Sequence, residues 1–165
     1  MVWGSLQKMK HVFYFLRKQN GNIDFLQETH WKSDMEDVFR SQWGFECIVA
    51  GQDLGSKRAA VLFKNNFEYK VHSVVKDDEG RYILIDIEML NKRLTIASIY
   101  MHQTVEITLN LFGESYKRSC VNNESIVIGG DWNVALNPKI DSNHLTNIYC
   151  ARSQKQIVDF MYTWG

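Results

Sequence analysis

The sequence predicts an α/β protein in which a mixed sheet is layered against helices. Three observations carry this prediction. An amphipathic helix, a short strand and a second helix open the chain. Five β-rich segments, parted by short turn sequences, fill its centre. A helix, one more apolar strand and a last helical stretch follow. This order lacks the regular strand–helix alternation of a fully parallel sheet, and turns as short as these join antiparallel neighbours. Two packed sheets between helices would bury both faces of so many strands.

Each element has its own signal. In SLQKMKHVFYFLRKQN, Leu6, Met9, Val12, Phe13 and Leu16 recur at helical spacing, Ser5 is a candidate N-cap, and the NGN at 20–22 stops the helix. IDFLQE reads as a short, largely buried strand. KSDMEDVFRSQWG is a second helix, with Ser33 as its expected N-cap, acidic residues in the first turn and Gly44 as the stop. FECIVAG, AAVLFK, YKVHSVVK, RYILIDIEML and KRLTIASIY are β-rich, and QDLGSK, NNF, DDEG and LNK between them carry turn chemistry. YILIDIEML alternates, with Ile83, Ile85 and Ile87 on one face and Leu84, Asp86 and Glu88 on the other. VEITLNLFGESYKRSC predicts a third helix, weakened by Gly113. IVIGGDWN then reads as a buried apolar strand, and SQKQIVDFMYTW as a last helix or turn.

Composition narrows the function classes. The 165 residues form one expected domain, with 45% hydrophobic and 23% charged residues, ordinary for a globular protein. A net charge of zero removes any global basic signal for nucleic acid, although a local basic groove is compatible with it. Cys47, Cys120 and Cys150 are odd in number and lack C-x-x-C spacing, which argues against a disulfide framework and a zinc ribbon. No apolar run approaches the ~20 residues of a membrane span, and the opening MVWGSLQKMK does not read as a signal peptide.

Three clusters of chemistry sit where a strand gives way to a loop. IDFLQETHW ends in Gln27, Glu28, Thr29 and His30. Glu28 is suited to hold a hard cation such as Mg²⁺, and the same stretch also reads as a polar cluster leading into a helix. In GGDWN, Asp131 and Asn133 lie two apart, so an extended backbone turns both to one side while Trp132 packs on the other. A carboxylate that orients water and an amide that donates and accepts would make half a site, and a Gly-Gly turn with an Asx cap would explain the same letters. Tyr100 ends LTIASIY, either as a hydrogen-bond donor to a phosphate or as an amphipathic rim residue. His30 and His102 lie within two residues of Glu28 and Tyr100 respectively, close enough to those two to line the same rim. Lys57 and Arg58 form a small basic spot that reads as a solvated turn or as a phosphate contact. The remaining histidines show no metal-ligand spacing.

In this order and at these separations, DFLQETHW, GRYILIDIE, LTIASIY and IVIGGDWN resemble the endonuclease/exonuclease/phosphatase superfamily, closest to the apurinic-type endonuclease domain of non-long-terminal-repeat retrotransposons. The likeness runs from about Ser5 to Gly165 and includes the YTWG at the end. It implies a DNase I-like four-layer α/β/β/α sandwich and Mg²⁺-dependent cleavage of DNA phosphodiester bonds, with Mn²⁺ as an alternative cation. By this resemblance Glu28 binds the metal, Asp131 orients or deprotonates the attacking water, Asn133 steadies the phosphate and Tyr100 approaches it. His30, Gln103 and Arg58 are the expected substrate contacts. DNA is the implied partner, and the place of action is intracellular, nuclear where the substrate is genomic.

The departures shape a second expectation. The family's opening strand, with its metal-organising Asn, has no counterpart before Asn20, and the family's Ser-Asp-His motif has none before Gly165. His144 and Asp141 stand in the wrong place to substitute, and the family's YAPN loop reads YMHQ, with Gln103 for the Asn. The sandwich is therefore expected to be incomplete at its N- and C-terminal strands, with exposed sheet edges. Any reverse transcriptase would belong to a longer parent. Three activities stay open on these letters: a DNA endonuclease domain, a non-catalytic or nucleic-acid-binding remnant, and a phosphatase of small phosphoesters.

Overall fold

The computed structural model describes residues 6–29, 35–51, 58–101, 105–119, 125–134 and 148–164. In chain order these form α1 (Leu6–Lys18), β1 (Ile23–Leu26), α2 (Glu36–Trp43), β2 (Cys47–Ala50), β3 (Ala59–Phe63), β4 (Lys70–Lys76), β5 (Tyr82–Met89), β6 (Lys92–Tyr100), α3 (Val105–Ser119), β7 (Ile126–Asp131) and α4 (Ile148–Trp164). The strands make two sheets, in the orders β1-β3-β2 and β4-β5-β6-β7. All pairings are antiparallel except β6–β7, which is parallel, so the second sheet is mixed as expected.

Three cores separate four layers. On the outside of the first sheet, Met9 and Phe13 of α1 and Phe39 and Trp43 of α2 pack on Leu26, Cys47, Val49, Ala60 and Leu62. The aromatic rings meet edge to face, Phe13 and Phe39 at 4.8 Å between centroids. Trp43 is wholly buried and its indole N–H is satisfied by the Phe63 carbonyl at 2.9 Å. Between the sheets, Ile48, Val61 and Phe63 face Ile83, Ile85, Ile87 and Ile96. On the far side, Tyr82, Leu84, Ala97 and Ile99 pack against Phe112 of α3 and Ile157 and Phe160 of α4. The alternation in β5 is the cause: odd-numbered isoleucines enter the inter-sheet core, and Leu84 faces the helices. This is the α/β/β/α sandwich.

Several local expectations change. α2 begins at Glu36 with Met35 at its N-cap position and no side-chain cap bond, while Ser33 lies outside the described residues. Glu36 and Asp37 in the first turn complement the helix dipole instead. Gly44 ends the helix as expected, at φ 80°, donating its N–H to the Arg40 carbonyl. The last helix starts earlier, at Ile148. β7 is not fully buried: Val127 is 52% exposed, and Ile126 and Ile128 are half-buried. Likewise β1 fully buries only Leu26. Each of these strands has one hydrogen-bonded neighbour among the described residues, so each is an edge there. Cys47 is buried and unbridged, and Cys120 lies outside the described residues. Among the described residues no helix is long and apolar enough to cross a membrane.

Candidate functional site

β6 and β7 run parallel, so their carboxyl ends share one edge of the sandwich, with Tyr100 paired in register to Asp131. β1, in the other sheet, brings its own carboxyl end to the same place. The Phe25 ring of β1 lies so close over Gly129 of β7 that a Cβ there would stand 2.9 Å from it. Gly130 is needed for a different reason. Its φ is 148°, and a Cβ would fall 1.9 Å from the Ile99 carbonyl oxygen of β6. The two glycines of GGDWN thus let β7 approach the opposite sheet and its own neighbour at once.

Beyond these strand ends four polar side chains converge. The Tyr100 hydroxyl donates to Glu28 Oε1. Tyr100 is 2% exposed, and burial, followed by the hydrogen bond and charge of Glu28 and the charge of Asp131, pushes its phenol well above the ordinary tyrosine range, with the Asn133 side chain opposing the shift. Asp131 Oδ1 accepts the Asn133 backbone N–H at 2.9 Å, closing an Asx turn. The Asn133 amide donates to the Met101 carbonyl at 2.7 Å, and the Met101 N–H donates to the Asp131 carbonyl at 2.8 Å. Glu28 and Asn133 both adopt left-handed backbone, at φ 52° and 47°. Such conformations cost a non-glycine residue about 1–3 kcal/mol and cluster where a side chain must be aimed.

The structure therefore brings together Glu28, Tyr100, Asp131 and Asn133, the four residues singled out from the sequence. It does so by another route than the one expected for Asp131 and Asn133. They do not alternate along an extended strand, because Asn133 is left-handed and is folded back by the Asx turn. Trp132 packs on the helix-side core near Phe160, with ring centroids 6.2 Å apart. Arg58 is not on a solvated turn: it is 3% exposed, and its carbonyl accepts both the N–H and the hydroxyl of Thr29. His30, Gln103, Lys57, His102, Asp141 and His144 lie outside the described residues.

The sequence marks Gln27 and Thr29 only as members of a polar cluster and does not show the bonds by which they support the site. Gln27 donates from Nε2 to Ser98 Oγ at 3.1 Å, bridging the sheets directly beneath Glu28. Thr29, wholly buried, makes the two bonds to Arg58. The available signal was Ser98 itself, a polar residue set in the otherwise apolar run IASI.

The chemistry of the donors is that of hard oxygen. Among the described residues no three His, Cys, Asp or Glu side chains gather as a metal-holding group. What is present is the half-buried Glu28 carboxylate with the exposed Asp131 carboxylate near the same tyrosine. That set fits Mg²⁺, which is usually held through one or two carboxylates together with water and substrate phosphate.

No family model matches the sequence. Over 134 residues the chain is 24% identical to the Transposon TX1 uncharacterized 149 kDa protein of Xenopus laevis, a stretch that covers 80% of this chain and 10% of that protein. Among solved structures it is similar to an AP endonuclease from Archaeoglobus fulgidus, with TM-score 0.59 and 18% identity over 92% of this chain and 65% of that one. It is similar to an endonuclease/exonuclease/phosphatase family protein from Bacteroides thetaiotaomicron, with TM-score 0.60 and 12% identity over 80% and 56%. The 3′ phosphatase NExo from Neisseria, bound to a product DNA hairpin, gives TM-score 0.59 and 12% identity over 95% and 66%. The chain thus spans a tenth of its curated relative and less than two thirds of these solved chains. Its fold is the DNase I-like sandwich of the endonuclease/exonuclease/phosphatase superfamily.

Proposed function

Taking that fold as the premise, we propose that the chain is a Mg²⁺-dependent phosphodiesterase domain acting on DNA, the endonuclease part of a retrotransposon-type protein. The observation that supports the reading most is the meeting of Glu28, Tyr100, Asp131 and Asn133 at one end of both sheets. The transposon protein relative supports the biological setting, and a genomic substrate would make that setting nuclear.

Each residue has a role in this reading. Glu28 is the metal-holding carboxylate, kept in place by the Tyr100 hydroxyl. When bound, Mg²⁺ supplies positive charge that polarises phosphoryl oxygens and stabilises the departing oxygen; Mn²⁺ is the expected substitute. Asp131, exposed at the rim, orients the attacking water and takes its proton. One of its oxygens accepts a backbone N–H, which fixes the carboxylate's orientation and leaves its other oxygen for the water. Asn133, anchored on the Met101 carbonyl, steadies the phosphate at the rim. Tyr100 remains a neutral donor over the working pH range, because its phenol is shifted upward.

Nicking of supercoiled plasmid in the presence and absence of Mg²⁺ tests the proposal. Activity that requires Mg²⁺ and falls by about 10²–10⁴-fold in Asp131→Asn is expected, with a comparable fall in Glu28→Gln. The reading fails if the chain does not nick, or if Glu28→Gln nicks as well as the parent.

A further inference from the structure

We propose that Gln27 and Thr29 are positioning residues for Glu28, anchoring the left-handed turn at this residue to both sheets so that its carboxylate points at Tyr100; the inference rests on the reading of Glu28 as the cation ligand. Successive residues of an extended chain point to opposite faces. Gln27 and Glu28 do not: both reach β6, where Gln27 bonds Ser98 and Glu28 bonds Tyr100. Ser98 and Tyr100 stand two apart on one strand and so share a face, the one turned toward the other sheet, as Ile96 is. Two consecutive side chains meet one face because the backbone at Glu28 has φ 52°.

That conformation is unfavourable for a glutamate and must be held from both sides. On the amino side, Gln27 Nε2 reaches Ser98 Oγ at 3.1 Å, and Ser98 is 0% exposed. On the carboxyl side, Thr29 is also 0% exposed. Its N–H and its hydroxyl donate to the Arg58 carbonyl at 3.2 and 3.3 Å, just before β3, the neighbour of β1 in the first sheet. Residue 27 is thus tied to the second sheet and residue 29 to the first. Loss of either tie lets Glu28 relax toward negative φ, which swings its Cβ and takes the carboxylate away from Tyr100.

Thr29→Val removes the hydroxyl while keeping the branched shape, Thr29→Ser restores the hydroxyl, and Ser98→Ala removes the acceptor for Gln27. Two readouts apply to each. Backbone ¹³C shifts of Glu28, recorded without metal, report whether φ stays positive. Calorimetric titration with Mg²⁺ alone reports affinity. Thr29→Val and Ser98→Ala are expected to move the Glu28 shifts off the left-handed signature and to weaken Mg²⁺ binding by about 10–100-fold, as loss of groups that orient a ligand does. Thr29→Ser is expected to restore both to near the parent values. Parent-like shifts in Thr29→Val and Ser98→Ala would overturn the proposal, as would a Thr29→Ser variant no better than Thr29→Val. If the parent binds no Mg²⁺, the functional reading fails, and the shifts alone decide the positioning role. If Thr29→Val does not fold, Ser98→Ala, a smaller deletion, decides by the same readouts.

Discussion

Gly130→Ala is the most demanding single test of the way β7 meets β6. The added Cβ would lie 1.9 Å from the Ile99 carbonyl oxygen, 2.8 Å from its carbon and 2.9 Å from the Ile99 nitrogen. These are backbone atoms of a neighbouring strand and cannot rotate aside. The φ of 148° is also one that an L side chain rarely adopts. Backbone strain of about 1–3 kcal/mol adds to the ladder bonds lost when β7 moves away at the Ile99–Gly130 and Tyr100–Asp131 positions, at ~1 kcal/mol each. The sum is about 3–5 kcal/mol. At roughly 2–4 °C per kcal/mol for a chain of this size, the melting temperature should fall by about 6–20 °C in calorimetry or circular dichroism. Gly129→Ala is the internal control. Its Cβ meets the Phe25 ring at 2.9–3.0 Å, a side chain that can shift, so the cost is about 1–2 kcal/mol. Phe25→Leu should relieve that cost in a double-mutant cycle and leave the Gly130→Ala cost unchanged. A Gly130→Ala protein melting near the parent temperature, or one more stable than Gly129→Ala, would refute this account of the strand pair.

Two further outcomes are expected. The phenols of Tyr69 and Tyr100 are both raised, each first by burial and then by a carboxylate partner, Glu46 and Glu28 respectively. A raised folded-state value means stability is fully present below the unfolded tyrosine pKa of about 10 and is lost as pH rises through the folded one. Urea midpoints should therefore fall above about pH 10, with a shallower fall in Tyr69→Phe and in Tyr100→Phe; parallel curves for all three proteins would contradict it. In the second case, the Asp86 side chain is 2% exposed and is paired with Arg93, which is 45% exposed. Arg93→Ala should cost on the order of 2–3 kcal/mol in urea unfolding, because it strips a partner from a buried carboxylate. The double replacement Asp86→Leu/Arg93→Met should recover most of that loss, and failure to recover it would mean that the pair is worth more than an apolar contact.

What could be read from the sequence, and what could not, divides along a physical line. Periodicity depends on which face a residue presents, so the Ile83, Ile85 and Ile87 face was legible and fills the inter-sheet core. Short turns favour antiparallel pairing, so the β4–β5–β6 meander was legible too, whereas NNF, read as such a turn, instead carries the chain from β3 in one sheet to β4 in the other. Edge or centre is different, because it depends on how many neighbours a strand finds. Ile126, Val127 and Ile128 look like a buried run, yet Val127 is half exposed. Helix starts are equally ambiguous where several polar residues compete: Ser33 is a good cap by type, but α2 begins after Met35. At the site, Glu28, Tyr100, Asp131 and Asn133 were legible as polar groups at strand ends. The bonds of Gln27 to Ser98 and of Thr29 to Arg58 were not, since they span 71 and 29 residues: the first follows from how the two sheets stack and the second from the pairing of β1 with β3.

The two readings of GGDWN, turn and site, prove to be one device. The Asx turn is real: Asp131 accepts the Asn133 N–H, and Asn is among the residues that tolerate the left-handed backbone this requires. That same backbone sends the Asn133 amide to the Met101 carbonyl at the end of β6, beside Tyr100. The turn is therefore what converts two residues in sequence into two polar groups on one rim. Glu28 does the equivalent across the sheets, where a second left-handed residue lets neighbouring side chains face β6 together. Strain at both positions is sustained by hydrogen bonds to the surrounding backbone and side chains, and those bonds disappear when the chain unfolds. Aim and fold are thus coupled. A substitution that removes a bond holding Glu28 or Asn133 shifts the carboxylate or the amide before it unfolds the sandwich, because the three apolar cores, not these bonds, hold the layers together.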